Sequence, residues 1–258
     1  MEFQKNVSLK KYTTFRVGGR AKYFFVAKTE KDLIEAIKTA KKMKLPFFIL
    51  GGGSNVLISD RGYKGLVIKF GQPLSLYVSR GLEWAAGIPG TVQGAVYGNA
   101  GAFGKSMKDA VKEVKVFDAQ TEKIKIFKNK DCQFSYKNSI FKKKNDQIIL
   151  SVKIKTKKSN SKKIKEYLKY KKETQPLNFP SAGSIFKNPA GFFTGELIEK
   201  CGLKGKRVGN VKISEKHANF IVNLGNGKAK DVIKLIKLIK NKVKKKFGII
   251  LEEEVQIF

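Results

Sequence analysis

The stretch PFFILGGGSNVL, residues 46–57, predicts a short buried strand that runs directly into a glycine loop. The apolar run 46–50 has the length of a strand and is too short for a helix. Glycine tolerates positive φ, so the backbone N–H groups of Gly51, Gly52 and Gly53 can converge on an anion, to which Ser54 and Asn55 add donors. The loop is a candidate phosphate cradle. An ordinary tight turn is the alternative, because such short motifs recur by chance.

The residues around this loop predict a strand–helix–strand unit. KYFFVA (22–27) has the composition of a strand, and Thr29 with Asp32 three residues later forms a capping box that begins a helix. A further strand is predicted at 66–69. The apolar residues of the helix recur at helical spacing on one face: Leu33, Ile34, Ile37, Ala40 and Met43.

The rest of the chain mixes strands and helices without a repeat, which favours an α+β fold with several small lobes. Pro176 and Pro180 mark a predicted lobe boundary. Strands are predicted at 114–119, 123–128, 148–157, 218–223 and 249–258, the first two joined by a turn at Gln120–Thr121. Helices are predicted at 160–172, 194–201 and 228–247. The last helix has Gly248 as its C-terminal cap and an apolar face of Val232, Ile233, Leu235, Ile236, Ile239, Val243 and Phe247.

A second glycine-rich stretch, GIPGTVQGAVYGNAGAFG, occupies residues 87–104. A flexible loop is one interpretation, but its apolar residues, such as Ile88, Val92 and Phe103, would not be left in water. Small residues among apolar ones suit a backbone that packs against a flat ring system. Residues 51–57 and 87–104 would then hold the pyrophosphate and the isoalloxazine of a flavin.

Two other nucleotide motifs are excluded. Residues 99–106 read NAGAFGKS and approach the phosphate-loop pattern G-x-x-x-x-G-K-[ST], but Asn99 replaces its first glycine and no apolar strand precedes it. GGGSN is not the dinucleotide fingerprint G-x-G-x-x-G, and no acidic residue follows at the required distance.

Composition limits the possible partners. The net charge of +33 suggests nucleic acid or an anionic membrane, yet the charge is nearly all lysine, spread along the chain. Arginine, whose guanidinium binds bases and phosphates through two parallel hydrogen bonds, occurs only five times, fewer than a nucleic-acid-binding surface would favour. We therefore expect a solvated surface that speeds the arrival of anionic ligands, no nucleic-acid partner and no membrane span. Two cysteines and one histidine are too few for a disulfide framework or a metal site, and they indicate a reducing, cytoplasmic compartment.

Six motifs occur in an order that resembles the UDP-N-acetylenolpyruvoylglucosamine reductase family. They are TTFRVGG (13–19), GGGSNVL (51–57), residues 87–104, SAGSIFKNP (181–189), GLKGKRVGNVKISEKHANFIVN (202–223) and LEEEV (251–255). The resemblance covers nearly the whole chain and is closest to the shorter branch of the family. It implies a two-lobed FAD-binding domain of the vanillyl-alcohol-oxidase (PCMH) type at 1–174, with lobes at about 1–69 and 70–174. A smaller α+β substrate-binding domain is implied at 175–258, its C-terminal strand returning to the flavin.

The same resemblance implies an NADPH-dependent reduction of UDP-N-acetylglucosamine enolpyruvate to UDP-N-acetylmuramate by a cytoplasmic enzyme, which we expect to be a monomer. Ser184 aligns with the family's proton donor, and Glu254 with its catalytic glutamate. To donate a hydrogen bond to the developing enolate, Glu254 must be protonated, which burial favours. Strand alternation places Glu252 and Glu254 on one face. Lys137 stands where the family has arginine and offers charge without the two-pronged fork.

The remaining expected site residues follow from the same motifs. The expected substrate contacts are Tyr136, Lys187, Asn188 and His217, the histidine having a packed structural role as its alternative. The expected FAD contacts are Arg16, Gly51, Gly52, Gly53, Ser54, Asn55, Val56, Leu57, Gly87, Ile88, Pro89, Gly90, Thr91, Gly94, Ala95, Asn99, Ala100 and Gly101.

Besides Lys137, the chain departs from the family pattern in three places. About thirty residues that the family usually carries between 66–70 and 81–90 are missing, which suggests a minimal second lobe. Gln93 replaces a glycine, and Gln256 replaces an arginine after the glutamate. Two other functions compete: another flavoenzyme of the same fold, which would not need SAGSIFKNP and LEEEV, and a nucleic-acid-binding protein, which would need clustered arginine and exposed aromatics.

Overall fold

A computed structural model describes residues 1–258 and contains fifteen strands and seven α-helices. The strands are β1 (Gln4–Ser8), β2 (Arg20–Val26), β3 (Phe47–Leu50), β4 (Val56–Leu57), β5 (Tyr63–Lys69), β6 (Gly101–Ala102), β7 (Lys105–Ser106), β8 (Val111–Asp118), β9 (Lys123–Lys128), β10 (Gln147–Ile154), β11 (Ser181–Ser184), β12 (Arg207–Val208), β13 (Val211–Ile213), β14 (Phe220–Asn223) and β15 (Gln256–Ile257). The helices are α1 (Glu30–Lys42), α2 (Val92–Tyr97), α3 (Met107–Ala110), α4 (Ile140–Lys143), α5 (Ser161–Thr174), α6 (Thr194–Lys200) and α7 (Ala229–Phe247). No helix is both long enough and apolar enough to cross a membrane.

The chain divides into two compact units, each built from several segments. Unit 1 comprises Met1–Lys5, Tyr23–Gly52 and Lys64–Tyr170. Unit 2 comprises Asn6–Lys22, Gly53–Tyr63 and Lys171–Phe258.

The strand–helix–strand prediction is confirmed. A four-stranded sheet has the order β1-β2-β5-β3, and β3 pairs in parallel with β5. Thr29 caps α1 in the predicted capping box, its side chain accepting from the Asp32 N–H while the Asp32 carboxylate accepts from the Thr29 N–H. Leu33, Ala36, Ile37 and Ala40 of the helix are buried in an apolar core. Met43 was expected on this face, but it is 48 % exposed, because the helix ends at Lys42.

A second sheet of unit 1 has the order β10-β8-β9. The predicted hairpin β8–β9 is confirmed, and Asp118 holds its turn, since Oδ1 accepts from both Gln120 N and Thr121 N at 3.0 Å. The Lys125 ammonium and these backbone donors hold the pKa of the Asp118 carboxyl well below its usual range. One face of the sheet buries Val114 and Val116 with α2 in a separate apolar core.

Unit 2 is built on a sheet of order β11-β14-β13-β12 covered by α7. The apolar face predicted for α7 is confirmed for Val232, Leu235, Ile236, Ile239 and Val243, all of which are buried. Gly248 ends the helix at φ 71°, the left-handed conformation that a C-terminal cap requires.

One predicted element is corrected in unit 2. The strand expected over 249–258 is confined to β15, Gln256–Ile257, which pairs in parallel with β4. An isolated bridge between Phe186 and Glu253 precedes it. The apolar and β-branched residues of 249–258 therefore form a largely extended segment without a continuous ladder.

Candidate active site

In unit 1, the first two glycines of the loop pack against the start of the second glycine-rich stretch. A Cβ on Gly51 would lie 2.6 Å from Thr91 Oγ1, and one on Gly52 would clash with the backbone of Gly90. The ammonium of Lys69 donates to Gly51 O at 2.9 Å, and partial burial lowers its pKa. Residues without side chains are therefore required where the two segments meet, because the backbone and Thr91 side chain of one segment occupy the space beside the other.

The second glycine-rich stretch is an ordered element of unit 1. Thr91 caps α2 by accepting from Gly94 N at 3.2 Å, so the flexible-loop interpretation is wrong. The buried side chain of Gln93 accepts from Gln72 N and donates to Leu150 O, a structural role for this departure from the family. Asn99 is also buried, at φ 44°, and its side chain donates to Ser135 O and accepts from Lys108 N.

These contacts attach the turn that carries Lys137 to the glycine-rich stretch. Ser135 and Asn138 exchange two backbone hydrogen bonds of 3.1 Å, and Lys137 between them has φ 54°. On the other side of the turn, the Ser139 hydroxyl donates to Tyr97 O at 2.7 Å. Tyr136 at the tip is 57 % exposed. Unit 1 therefore brings Lys137, Tyr136 and Asn99 together.

Unit 2 holds the second part of the glycine loop. Gly53 has φ 66°, and a Cβ there would clash with Tyr12 O, so only glycine fits. Thr14 fastens this corner, because its N–H donates to Gly53 O at 3.0 Å and its hydroxyl donates to Ser181 O at 2.7 Å. The hydroxyl of the adjacent Thr13 is buried and has no hydrogen-bond partner within the protein. A buried hydroxyl without a partner costs free energy, so this atom suits a polar ligand at the loop.

Ser184 and Glu254 lie close in the backbone of unit 2. Ser184 ends β11, and the carbonyl of the next residue, Ile185, accepts from Glu254 N at 2.8 Å. Asn55 of the glycine loop joins the same region, since its Nδ2 donates to Glu254 O at 3.1 Å and its carbonyl accepts from Gln256 N. Asn55 of the glycine loop, strand β11 with Ser184, and the segment of residues 252–254 (the glutamate segment) therefore lie together within unit 2. Glu254 is half-buried.

The other expected residues of unit 2 have defined places. The Lys187 ammonium pairs with Glu252 at 2.7 Å, and Asn188 Oδ1 accepts from Thr194 N. His217 packs against the Phe220 ring and accepts from Asn219 N through Nδ1; burial, followed by the nearby Lys204, lowers its pKa. Arg16 is exposed at φ 54°, and its carbonyl accepts from the Asn223 amide.

Two buried asparagines that the sequence analysis did not single out organise these segments. Asn219 bonds both backbone groups of Phe186. The Asn223 Nδ2 donates to Phe15 O, while its Oδ1 accepts from Gly225 N and Gly227 N. Asparagine is uncommon in strands. The presence of two asparagines within the predicted strand ANFIVN was therefore the sequence signal that could have marked them as structurally important.

The comparisons with known proteins show the class and the family of this chain. A family model for an FAD binding domain matches residues 21–79, and one for the C-terminal domain of UDP-N-acetylenolpyruvoylglucosamine reductase matches residues 175–258. They define the class: an FAD-dependent oxidoreductase of α+β fold. The chain is 42 % identical to UDP-N-acetylenolpyruvoylglucosamine reductase of Caldicellulosiruptor bescii, over 99 % of this chain and 90 % of the relative. It is 40 % identical to that of Clostridioides difficile, over 96 % and 91 %.

A solved structure extends the match to the fold. The crystal structure of UDP-N-acetylenolpyruvylglucosamine reductase from Thermus caldophilus superposes with a TM-score of 0.85 at 34 % identity, covering 100 % of this chain and 99 % of the other. This chain belongs to the UDP-N-acetylenolpyruvoylglucosamine reductase family. The alignment with the Caldicellulosiruptor bescii relative spans 286 positions, more than the 258 residues here, so that relative carries residues that this chain lacks. Between β5 and Gly87 the structure has only two short 3₁₀ helices, Leu74–Arg80 and Glu83–Ala85.

Proposed function

We propose that this protein reduces the enolpyruvyl ether of UDP-N-acetylglucosamine enolpyruvate to the lactyl ether of UDP-N-acetylmuramate, a step of peptidoglycan precursor synthesis. Family membership over nearly the full length is the observation that carries this proposal. The two glycine-rich segments, 51–57 and 87–104, would hold FAD, which when bound would supply the hydride that it takes from NADPH. A hydride adds to the terminal alkene carbon and a proton to the adjacent carbon, so the C=C double bond becomes a C–C single bond, two C–H bonds form, and the charge balances.

The chain's own residues handle the charge and the proton. After hydride arrival, negative charge develops on the carbon next to the carboxylate and spreads into an enolate. In this proposal Glu254, protonated, donates a hydrogen bond to the enolate, and Ser184 delivers its hydroxyl proton to the carbon. The hydrogen bond from Glu254 N to the carbonyl of Ile185, the residue after Ser184, supports a shared role.

Lys137 completes the proposed catalytic group. Its ammonium supplies positive charge to the substrate carboxylate in place of the family's arginine, as a single-point contact. Tyr136, Lys187, Asn188 and His217 are the proposed substrate contacts. For Lys187 the ion pair with Glu252 indicates a role in holding the glutamate segment as well.

The proposed FAD site uses the two glycine-rich segments and Arg16. The buried Thr13 hydroxyl, which has no partner within the protein, supports a polar ligand at the glycine loop. The proposed domain division is 1–174 for FAD, with lobes at about 1–69 and 70–174, and 175–258 for the UDP-sugar. We further propose a cytoplasmic monomer without a nucleic-acid partner, in keeping with two free cysteines.

An anaerobic flavin experiment tests the function. The purified protein is reduced with NADPH, the enolpyruvyl UDP-sugar is added, and the flavin absorbance is followed while the product is identified by mass. Rapid reoxidation with formation of UDP-N-acetylmuramate is expected. A flavin that is reduced but does not reoxidise with this substrate would contradict the substrate assignment, and a protein that binds no flavin would contradict both.

The residue roles are tested in the same experiment. Ser184→Ala and Glu254→Gln should leave reduction by NADPH unchanged and slow reoxidation by at least about 10²-fold, the usual contribution of a positioned proton donor. Equal slowing of both half-reactions would instead indicate general damage to the flavin site.

A further inference from the structure

Three consecutive glutamates, Glu252 to Glu254, occur where the proposed reaction needs one. Two of them are held by lysines from different elements. Lys240 of α7 lies 2.8 and 3.0 Å from the two carboxylate oxygens of Glu253, and Lys187 lies 2.7 Å from Glu252. The carboxylates of Glu252 and Glu253, the two residues before the proposed enolate stabiliser Glu254, are therefore each paired with a particular lysine.

The backbone fixes the same register. Lys187 N donates to Glu252 O at 2.9 Å, Phe186 bridges Glu253, and Glu254 N donates to Ile185 O at 2.8 Å. In an extended segment, a shift by one residue moves every side chain to the opposite face. Such a shift would exchange Glu253 for Glu254 at the site. The glutamate side chains do not oppose it, because neighbouring positions carry the same side chain, and among the residues of this segment only the buried Leu251 and Val255 do.

The ladder is also short. Only Gln256 and Ile257 form a regular strand after the glutamates. The three glutamates are flanked by the buried apolar residues Leu251 and Val255. Lys240 acts from outside this ladder, from a helix that the apolar core of unit 2 holds in place. Its two-oxygen contact distinguishes Glu253 from its neighbours.

We propose that Lys240 is a positioning residue that selects Glu254 as the catalytic glutamate by holding Glu253 on α7. The inference rests on the proposed role of Glu254. The side chains of Lys240 and Glu253 are about one-third exposed, at 34 % and 29 %, so the pair contributes little to global stability. Catalysis is more sensitive, because a displacement of about 1 Å can cost about 10²-fold in rate.

The test compares the two half-reactions of the FAD-loaded enzyme by anaerobic stopped-flow. Lys240→Met should leave reduction by NADPH within about twofold of wild type and slow reoxidation by the enolpyruvyl UDP-sugar by about 10- to 100-fold. Lys240→Arg, which keeps a two-oxygen contact, should restore reoxidation to within about threefold. The matched control is Lys234→Met on the same helix, where the ammonium lies 3.9 Å from Asp231 Oδ1 and does not meet the glutamates; it should change neither half-reaction.

A charge exchange separates positioning from general damage. Lys240→Glu should slow reoxidation, and the double variant Lys240→Glu with Glu253→Lys should recover most of the rate, because the pair is rebuilt in reverse. Unchanged reoxidation in Lys240→Met, or equal slowing of both half-reactions, overturns the proposal. If Lys240→Met does not fold, the charge-exchange variants provide the test. The double variant should then reoxidise faster than Lys240→Glu, and an equal or slower rate overturns the proposal. Failure of Glu254→Gln to slow reoxidation would refute the assigned role of Glu254 instead, and the two failures are thereby distinguished.

Discussion

The side-chain amide of Asn219 brackets the backbone of Phe186, with Oδ1 accepting from N at 3.0 Å and Nδ2 donating to O at 2.8 Å. The carbonyl of Asn219 also accepts from Ile185 N. One asparagine therefore anchors the chain directly after Ser184.

Replacing this asparagine should destabilise the fold. Asn219→Leu leaves both Phe186 groups buried without partners, at a cost of about 1–3 kcal/mol for each. Urea unfolding should show the loss. Asn210→Leu, at an exposed position whose side chain accepts from Arg207, is the control and should change stability by less than about 0.5 kcal/mol. Equal effects of the two variants would contradict the anchoring role.

Thr13 and Thr14 should respond differently to the same change. Thr13→Val removes a buried hydroxyl that has no partner within the protein, so the apoprotein should become more stable, while FAD binds about fivefold more weakly, the equivalent of one hydrogen bond of about 1 kcal/mol. Thr14→Val removes the bond to Ser181 O and should destabilise the apoprotein. Flavin titration and thermal unfolding of the apoprotein distinguish the two. Unchanged FAD affinity in Thr13→Val would show that this hydroxyl does not contact the cofactor.

Lys137→Arg should raise kcat/KM for the enolpyruvyl substrate, since a guanidinium makes two parallel bonds to a carboxylate. Lys137→Met removes the charge and should lower kcat/KM by about 10- to 100-fold, the value of a charge-assisted hydrogen bond of about 1.5–3 kcal/mol. Lys137 has φ 54°, and the cost of this conformation should be similar for lysine, arginine and methionine, because none of them is β-branched. Steady-state kinetics at varied substrate concentration checks both variants, and an unchanged kcat/KM in Lys137→Met would remove this residue from the site.

His217 should make stability depend on pH. Burial lowers its pKa in the folded state below the ordinary value of 6.5, so the unfolded chain binds a proton first. The contribution of neutral His217 to the free energy of unfolding should therefore be fully present above about pH 6.5 and should be lost as the pH is lowered through that value. Because His217 is the only histidine, urea unfolding at pH 7.5 and 5.5 isolates its effect, and His217→Gln should show a smaller fall. An equal fall in the variant would assign the pH dependence to carboxylates.

Local features of the fold followed from the sequence. The capping box of Thr29 with Asp32, the apolar face of α7 and the left-handed cap at Gly248 involve residues within a few positions of one another, so their pattern determines their structure. The six ordered motifs likewise identified the family and its FAD-binding class, because that resemblance is carried by the order of residues along the chain.

The tertiary structure alone decided how the site is held. Thr14 meets Ser181 across 167 positions, Asn55 meets Glu254 across 199 and Asn223 meets Phe15 across 208. No periodicity or spacing encodes such pairs, since each depends on the folding of everything between its partners. The C-terminal segment shows the same limit: its composition predicts a long strand, but a strand requires a neighbour that offers matching hydrogen bonds, and β4 offers them only to Gln256 and Ile257. The sequence therefore predicted which residues compose the proposed site, and long-range hydrogen bonds and ion pairs determined where Ser184, Asn55 and Glu254 lie within unit 2.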